Sequence, residues 1–167
     1  MAFTGKPTGT TDIVISNDGF WPDLALLALI EDYRIPASDY TDNVIRTGLV
    51  TSMIYVNDKL QAAKDAIILL EYATLADYTA AHSSQIDDKE LLEHHYEKAV
   101  YCHAKAFLLP QFNSLNRKPN AENQAKESPE TEAYWLDQSQ HAIYLLMKAV
   151  LPDTETPSQN GFAAVLI

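Results

Sequence analysis

The sequence predicts an all-α protein: four main helices packed as an elongated bundle, with a flexible N-terminal arm and an extended apolar C-terminal tail. Three observations predict this class. Apolar residues recur at steps of three and four over long stretches, the spacing of one helix face. Glycine is scarce, with five in the chain and three of them among the first nineteen residues, so few turns need left-handed backbone. Prolines fall where helices start and stop rather than inside the periodic stretches.

The chain divides into an arm over 1–19, a helical body over 20–152 with an exposed loop at 116–129, and a tail over 153–167. The arm is rich in Thr, Gly, Ser and Pro, with a short strand expected at Asp12–Ile15. Asp18-Gly19 is a turn signal. The first helix is expected from Pro22-Asp23 to Tyr33. Proline suits a first turn, the Asp carboxylate faces the positive end of the dipole, and Pro36 closes the segment.

The second helix is expected as one rod from Tyr40 to Leu69, about 45 Å long. Its seam is Ile45, Leu49, Met53, Val56, Leu60, Ala63 and Ile67. A connector follows, with a turn of helix at Thr74–Tyr78. The third helix is expected from Asp87 or Asp88 to Leu109, with the seam Leu92, His95, Ala99, Cys102, Ala106 and Leu109, and Pro110 kinks or ends it. Ala99 and Ala106 would admit a neighbouring helix closely. The fourth helix starts at Ser128-Pro129, carries Trp135, Gln138, Ala142, Leu145 and Ala149 on its seam, and stops at Pro152. The tail closes on Phe162-Ala163-Ala164-Val165-Leu166-Ile167, six apolar residues that must dock on the chain's own body or on a neighbour.

The composition excludes several function classes. The net charge of -11 opposes nucleic-acid and anionic-membrane binding, which need dense positive surface. Such acidity serves solubility, or lets DNA slide past without sticking. The longest apolar run, Leu24 to Ile30, is far shorter than the roughly 20 residues that span a bilayer. Cys102 is the one cysteine and sits in an apolar helical pattern, which reads as a buried structural thiol.

Catalytic and metal chemistry find no pattern to rest on. Glu90, Glu93, His94, His95, Glu97 and His103 are dense enough to suggest a metal site in a bundle. The residues three before the five histidines are Thr79, Leu91, Leu92, Val100 and Gln138, so Glu-x-x-His is missing, and so is His-Glu-x-x-His. No catalytic, cofactor-binding or metal residue is assigned. There is no Gly-x-Ser-x-Gly elbow and no phosphate-binding glycine loop. Phe20-Trp21 reads as an aromatic anchor for the first helix rather than a ligand cage.

Four landmarks occur in a fixed order: Phe20-Trp21-Pro22-Asp23; Leu75-Ala76-Asp77; His95-Tyr96-Glu97-Lys98-Ala99-Val100 leading into Ala104-Lys105-Ala106-Phe107-Leu108; and Tyr134-Trp135-Leu136 with Ala142-Ile143 before a short apolar tail. On these landmarks, over residues 20–167, the chain resembles the head completion proteins of temperate phages with contractile tails. The resemblance implies a non-enzymatic virion protein at the head–tail junction, assembled in the host cytoplasm. It implies docking on the portal protein after DNA packaging, a ring of about twelve neighbouring copies, and contact with tail completion or connector proteins, with packaged DNA passing unbound. Phe162, Val165, Leu166 and Ile167 of the tail, with Ile13 and Ile15 of the arm, are the expected contacts with the portal or the next subunit. The alternative is a non-catalytic cytoplasmic helical scaffold or effector.

Overall fold

The computed structural model describes residues 13–36, 41–115 and 131–152, which form six helices and two short strand pairs. Strand β1 (Val14–Ile15) pairs antiparallel with β2 (Leu24–Ala25), Val14 opposite Ala25 and Ile15 opposite Leu24. Helix α1 (Leu26–Asp32) follows directly. Leu24 and Ala25 are thus strand rather than the first helical turn. Their backbone is taken by β1, and the Leu26 amide donates to the Ile13 carbonyl at 2.8 Å. Residues 13–19 of the expected arm belong to the fold. Residues 1–12 lie outside the described residues.

Between the strands, Asn17 to Trp21 form a tight turn. Asp18 Oδ1 accepts from the Phe20 and Trp21 amides at 3.0 and 3.2 Å, and Gly19 takes φ +86°. Only glycine adopts that backbone without strain. Asp18 Oδ2 accepts from Lys64 Nζ at 2.6 Å. Burial pushes the Asp18 carboxyl up, but the Lys64 and amide hydrogen bonds outweigh it and hold the group below its ordinary range.

Helix α1 ends at Asp32, well before Pro36. The Ile35 amide donates to the Ile30 carbonyl at 3.0 Å across Arg34, whose φ is +51°. That closure is the left-handed helix stop. Buried Lys105 supplies the cation at this end, with Nζ 2.6 Å from the Tyr33 carbonyl oxygen and its charge over the Trp135 ring.

The expected second rod is two helices, α2 (Asp42–Lys59) and α3 (Gln61–Leu69), divided at Leu60. No glycine or proline marks the break. The Leu60 amide still donates to Val56 and the Lys64 amide to Leu60, so the three-and-four spacing runs through the division. Every residue of the expected seam, Ile45 through Ile67, is buried. Helix α4 (Leu75–His82) is longer than the turn expected at Thr74–Tyr78, and the Thr74 hydroxyl caps it by accepting from the Asp77 amide.

A hairpin of β3 (Gln85–Ile86) and β4 (Lys89–Glu90) precedes α5 (Leu91–Leu115). Asp87 and Asp88, expected to start a helix, instead form the two-residue turn, with φ of +54° and +57°. Consecutive left-handed residues match the twist of a two-residue hairpin, and aspartate tolerates them better than most side chains. Pro110 does not end α5, which runs five residues further.

Helix α5 lies at the centre, against α1, α2, α4 and α6 (Glu132–Val150). It is therefore buried on several faces: Tyr96, Val100, Tyr101, Ala104 and Leu108 as well as the expected Leu92, Ala99, Cys102 and Ala106. Gly48 of α2 permits close approach, since a β-carbon there would stand 3.2 Å from Leu108. Helix α6 runs antiparallel to α5 across Ala99, whose carbonyl accepts from Ser139 Oγ at 2.7 Å. Its buried face is Ser139, Ala142, Ile143, Leu146 and Met147. That face is rotated from the expected seam, of which only Ala142 is buried. The N-cap is Thr131, which accepts from the Tyr134 amide. Ser128, Pro129 and the rest of the expected loop, like residues 153–167, lie outside the described residues.

Tyr96 joins these parts. Its ring is fully buried and stacks on Trp21 at 5.0 Å and 3°. Its hydroxyl donates to Asn57 Oδ1 at 2.7 Å and accepts from Asn17 Nδ2 at 2.7 Å, and Asn57 Nδ2 donates to Asn17 Oδ1 at 2.9 Å. The first loop, α2 and α5 thereby share one closed polar circuit. Tyr96→Phe keeps the stack and leaves two amides short of a partner. It should cost about 1–3 kcal/mol, read as a lower urea midpoint with an unchanged slope.

Candidate interaction surface

Exposed apolar and aromatic groups are the ones that can meet another molecule. The most prominent are at the end of α3. The Tyr72 amide reaches back to the Ile67 carbonyl at 3.4 Å and the Glu71 amide to Ile68 at 2.9 Å, with Glu71 at φ +67°. This paired closure buries Ile67 and half-buries Tyr72. It leaves Ile68, Leu69 and Leu70 outside, at 49%, 84% and 57% exposure. Burying such side chains is worth roughly 1.5–3 kcal/mol each. Exposed Asp65 and Glu71 bound this aliphatic knuckle.

A second surface is aromatic. On α5, His103 and Phe107 share a face, and His103 stacks on Tyr55 of α2 at 4.2 Å, with Lys59 Nζ 5.4 Å from the Tyr55 ring. The Ser52 hydroxyl donates to the Gly48 carbonyl and so accepts from His103 Nδ1 at 2.8 Å. Ile54, on the solvent side of α2, is exposed.

The histidine and carboxylate residues singled out in the sequence spread over several environments. Asp23, Asp32, His94, His95, Glu97 and Lys98 line an open cleft of about 750 Å³ between α1 and the start of α5. Within it Glu97 is bound by Lys89 Nζ, and His94 Nε2 lies 3.2 Å from the Ile86 carbonyl oxygen. Burial raises the Glu93 carboxyl above its ordinary range. His103 lies across the core on the α2 side. Among the described residues no three His, Cys, Asp or Glu side chains come together as a metal cage. Cys102 is buried in the core, and burial pushes its thiol up to about 11.

The expected contact residues divide in two. Ile15 is buried in the chain's own core and Ile13 packs against it, so both are taken up by the fold. Phe162, Val165, Leu166 and Ile167 lie outside the described residues. The knuckle was not anticipated. Its signal was the run Ile67-Ile68-Leu69-Leu70, four aliphatics in succession, more than a single helix face can bury.

Residues 15–150 match the phage head completion protein (GPL) family. The chain belongs to that family. Over 144 residues it is 28% identical to a "Probable head completion/stabilization protein" of Haemophilus phage HP1, covering 86% of this chain and 92% of that one. No solved structure matches. The chain is thus a structural protein of phage head completion, and its family is not one of enzymes. The matched span begins at Ile15 and ends at Val150, so the Ile15–Leu24 pairing and the Tyr96 circuit fall within it, and Val14 lies one residue before it. None of the helices formed by described residues is long and apolar enough to cross a membrane.

Burial lowers the affinity of His95 and His103 for protons, and His95 also faces Lys98, His141 and His94. The unfolded chain therefore binds more protons than the folded one as pH falls through the ordinary histidine range near 6.5. Stability should be full above that range and fall below it. Urea midpoints at pH 7.5 and 5.5 should show this loss, and His95→Gln with His103→Gln should flatten it.

Proposed function

We propose that this head completion protein docks on the portal after DNA packaging. There it helps retain the DNA and presents the surface on which tail completion or connector proteins assemble. Neighbouring copies form a ring matching the portal, of about twelve, at the head–tail junction of the virion, after assembly in the host cytoplasm. The observation that carries this reading is the family match over residues 15–150. Two physical features support it. A central helix in contact with four others makes a stiff unit, as a ring under pressure requires. A charge of -11 repels DNA, so a channel lined by such subunits lets the strand slide without adhering.

The tail residues Phe162, Val165, Leu166 and Ile167 are the contacts proposed with the portal or the adjacent copy. Ile13 and Ile15 are left out, because the core already uses them. Electron microscopy of the protein mixed with purified portal rings should show added mass in a ring at one face of the portal. Deleting Phe162–Ile167 should leave the circular dichroism spectrum unchanged and reduce co-sedimentation with portal rings at least about tenfold. Full binding by the truncated chain would remove the tail from the contact, and failure of the intact chain to bind would remove the portal.

A further inference from the structure

The knuckle of Ile68, Leu69 and Leu70 is three consecutive aliphatic side chains turned outward by the closure of α3. We infer that in the free protein the segment Phe162–Ile167 of the same chain lies across it. Place, reach and composition point to this occupant.

Helix α6 runs antiparallel to α5: its Trp135 ring lies by Lys105 and its Ser139 bonds Ala99. Helix α2 is antiparallel to α5 as well, with Ser52 by His103 and Asn57 by Tyr96. The end of α6 therefore comes out at the pole where α2 gives way to α3, and α3 packs against α6. The described chain stops there, at Pro152. Between it and Phe162 lie the residues 153–161, Asp-Thr-Glu-Thr-Pro-Ser-Gln-Asn-Gly. Nine residues span up to about 30 Å when extended, roughly twice the ~13 Å length of α3.

Composition completes the match. The linker carries no large apolar side chain, and the six residues after it are all apolar, with large side chains at Phe162, Val165, Leu166 and Ile167. A tether this short holds the segment near the knuckle at an effective concentration in the millimolar range. A second copy at micromolar concentration competes poorly with that. The contact is apolar, so added salt leaves it intact, whereas an ion-paired contact would weaken. Its use rests on the head-assembly reading, since a covered segment keeps its greasy side chains off other molecules until the portal is met. The contact itself does not depend on that reading.

Two measurements on the full chain test it. Chymotrypsin cleavage after Phe162, followed by mass spectrometry, should be at least about tenfold slower in the native protein than in Leu69→Asp with Leu70→Asp. Neither substituted side chain belongs to the buried core of the described body, so both proteins should stay folded, with the same circular dichroism spectrum. Equal cleavage rates would overturn the proposal. Leu69→Cys with Val165→Cys, oxidised at micromolar protein, should give an intrachain disulfide, and buried Cys102 stays reduced. An interchain disulfide, or none, would overturn it too. Neither assay contains a portal, so a negative result leaves the head-completion reading standing.

Discussion

The fold turns on the closed circuit of Asn17, Asn57 and Tyr96. Each amide meets the other two members, so every polar side-chain atom of these three residues has a partner within 2.7–2.9 Å. Removal of any one member strands the others in a poorly hydrated place, where an unmade hydrogen bond costs most. The circuit also fixes direction. Asn17 Nδ2 reaches the Pro22 carbonyl and the Asn17 amide reaches Asp23, which sets the path of the loop that delivers Trp21 onto the Tyr96 ring. The Leu75 amide then bonds the Phe20 carbonyl and brings α4 to the same place. A small set of polar atoms thus decides how three segments, distant in the chain, enter one core.

Around that junction the packing is dry. Alanines at 99, 104, 106 and 142 are buried, and Ala99 lies where α6 crosses α5 closely enough for Ser139 to bond its backbone carbonyl. Small side chains lose little conformational freedom on folding, so this contact comes at low entropic cost. Lys105 and Ser52 show the same economy with polar groups. Each is buried and each finds a backbone carbonyl: Lys105 that of Tyr33 at the end of α1, Ser52 that of Gly48 one turn back within α2.

The sequence revealed different parts of this to different depths. The α2–α3 seam was legible residue by residue, because each of those helices buries a single stripe and the period is undisturbed at Leu60. Helix α5 was legible only in part. A helix buried on several sides has no single stripe, and Tyr96, Val100 and Tyr101 drop out of any one-face reading. The two strand pairs were illegible as pairs, since two residues carry no alternation to detect. Asp87-Asp88 reads equally as a helix cap or a hairpin turn, and the register of Gln85 with Glu90 decides it. For α6, aromatic Trp135 drew the expected seam toward itself, while the packed face follows the small residues Ser139 and Ala142. The aromatic anchor at Trp21 was foreseen, but its partner was not, because stacking depends on a loop geometry that only the Asn17 circuit supplies. The knuckle escaped because a periodic reading spends each aliphatic residue on the core. The left-handed Glu71 that turns three of them outward leaves no mark in composition.

The buried thiol of Cys102 has a consequence for life outside the cell. Oxidants attack the thiolate, and a thiol that titrates near 11 in a dry interior supplies almost none at neutral pH. A virion component exposed to oxidants would keep this thiol from damage and from stray cross-links to its neighbours.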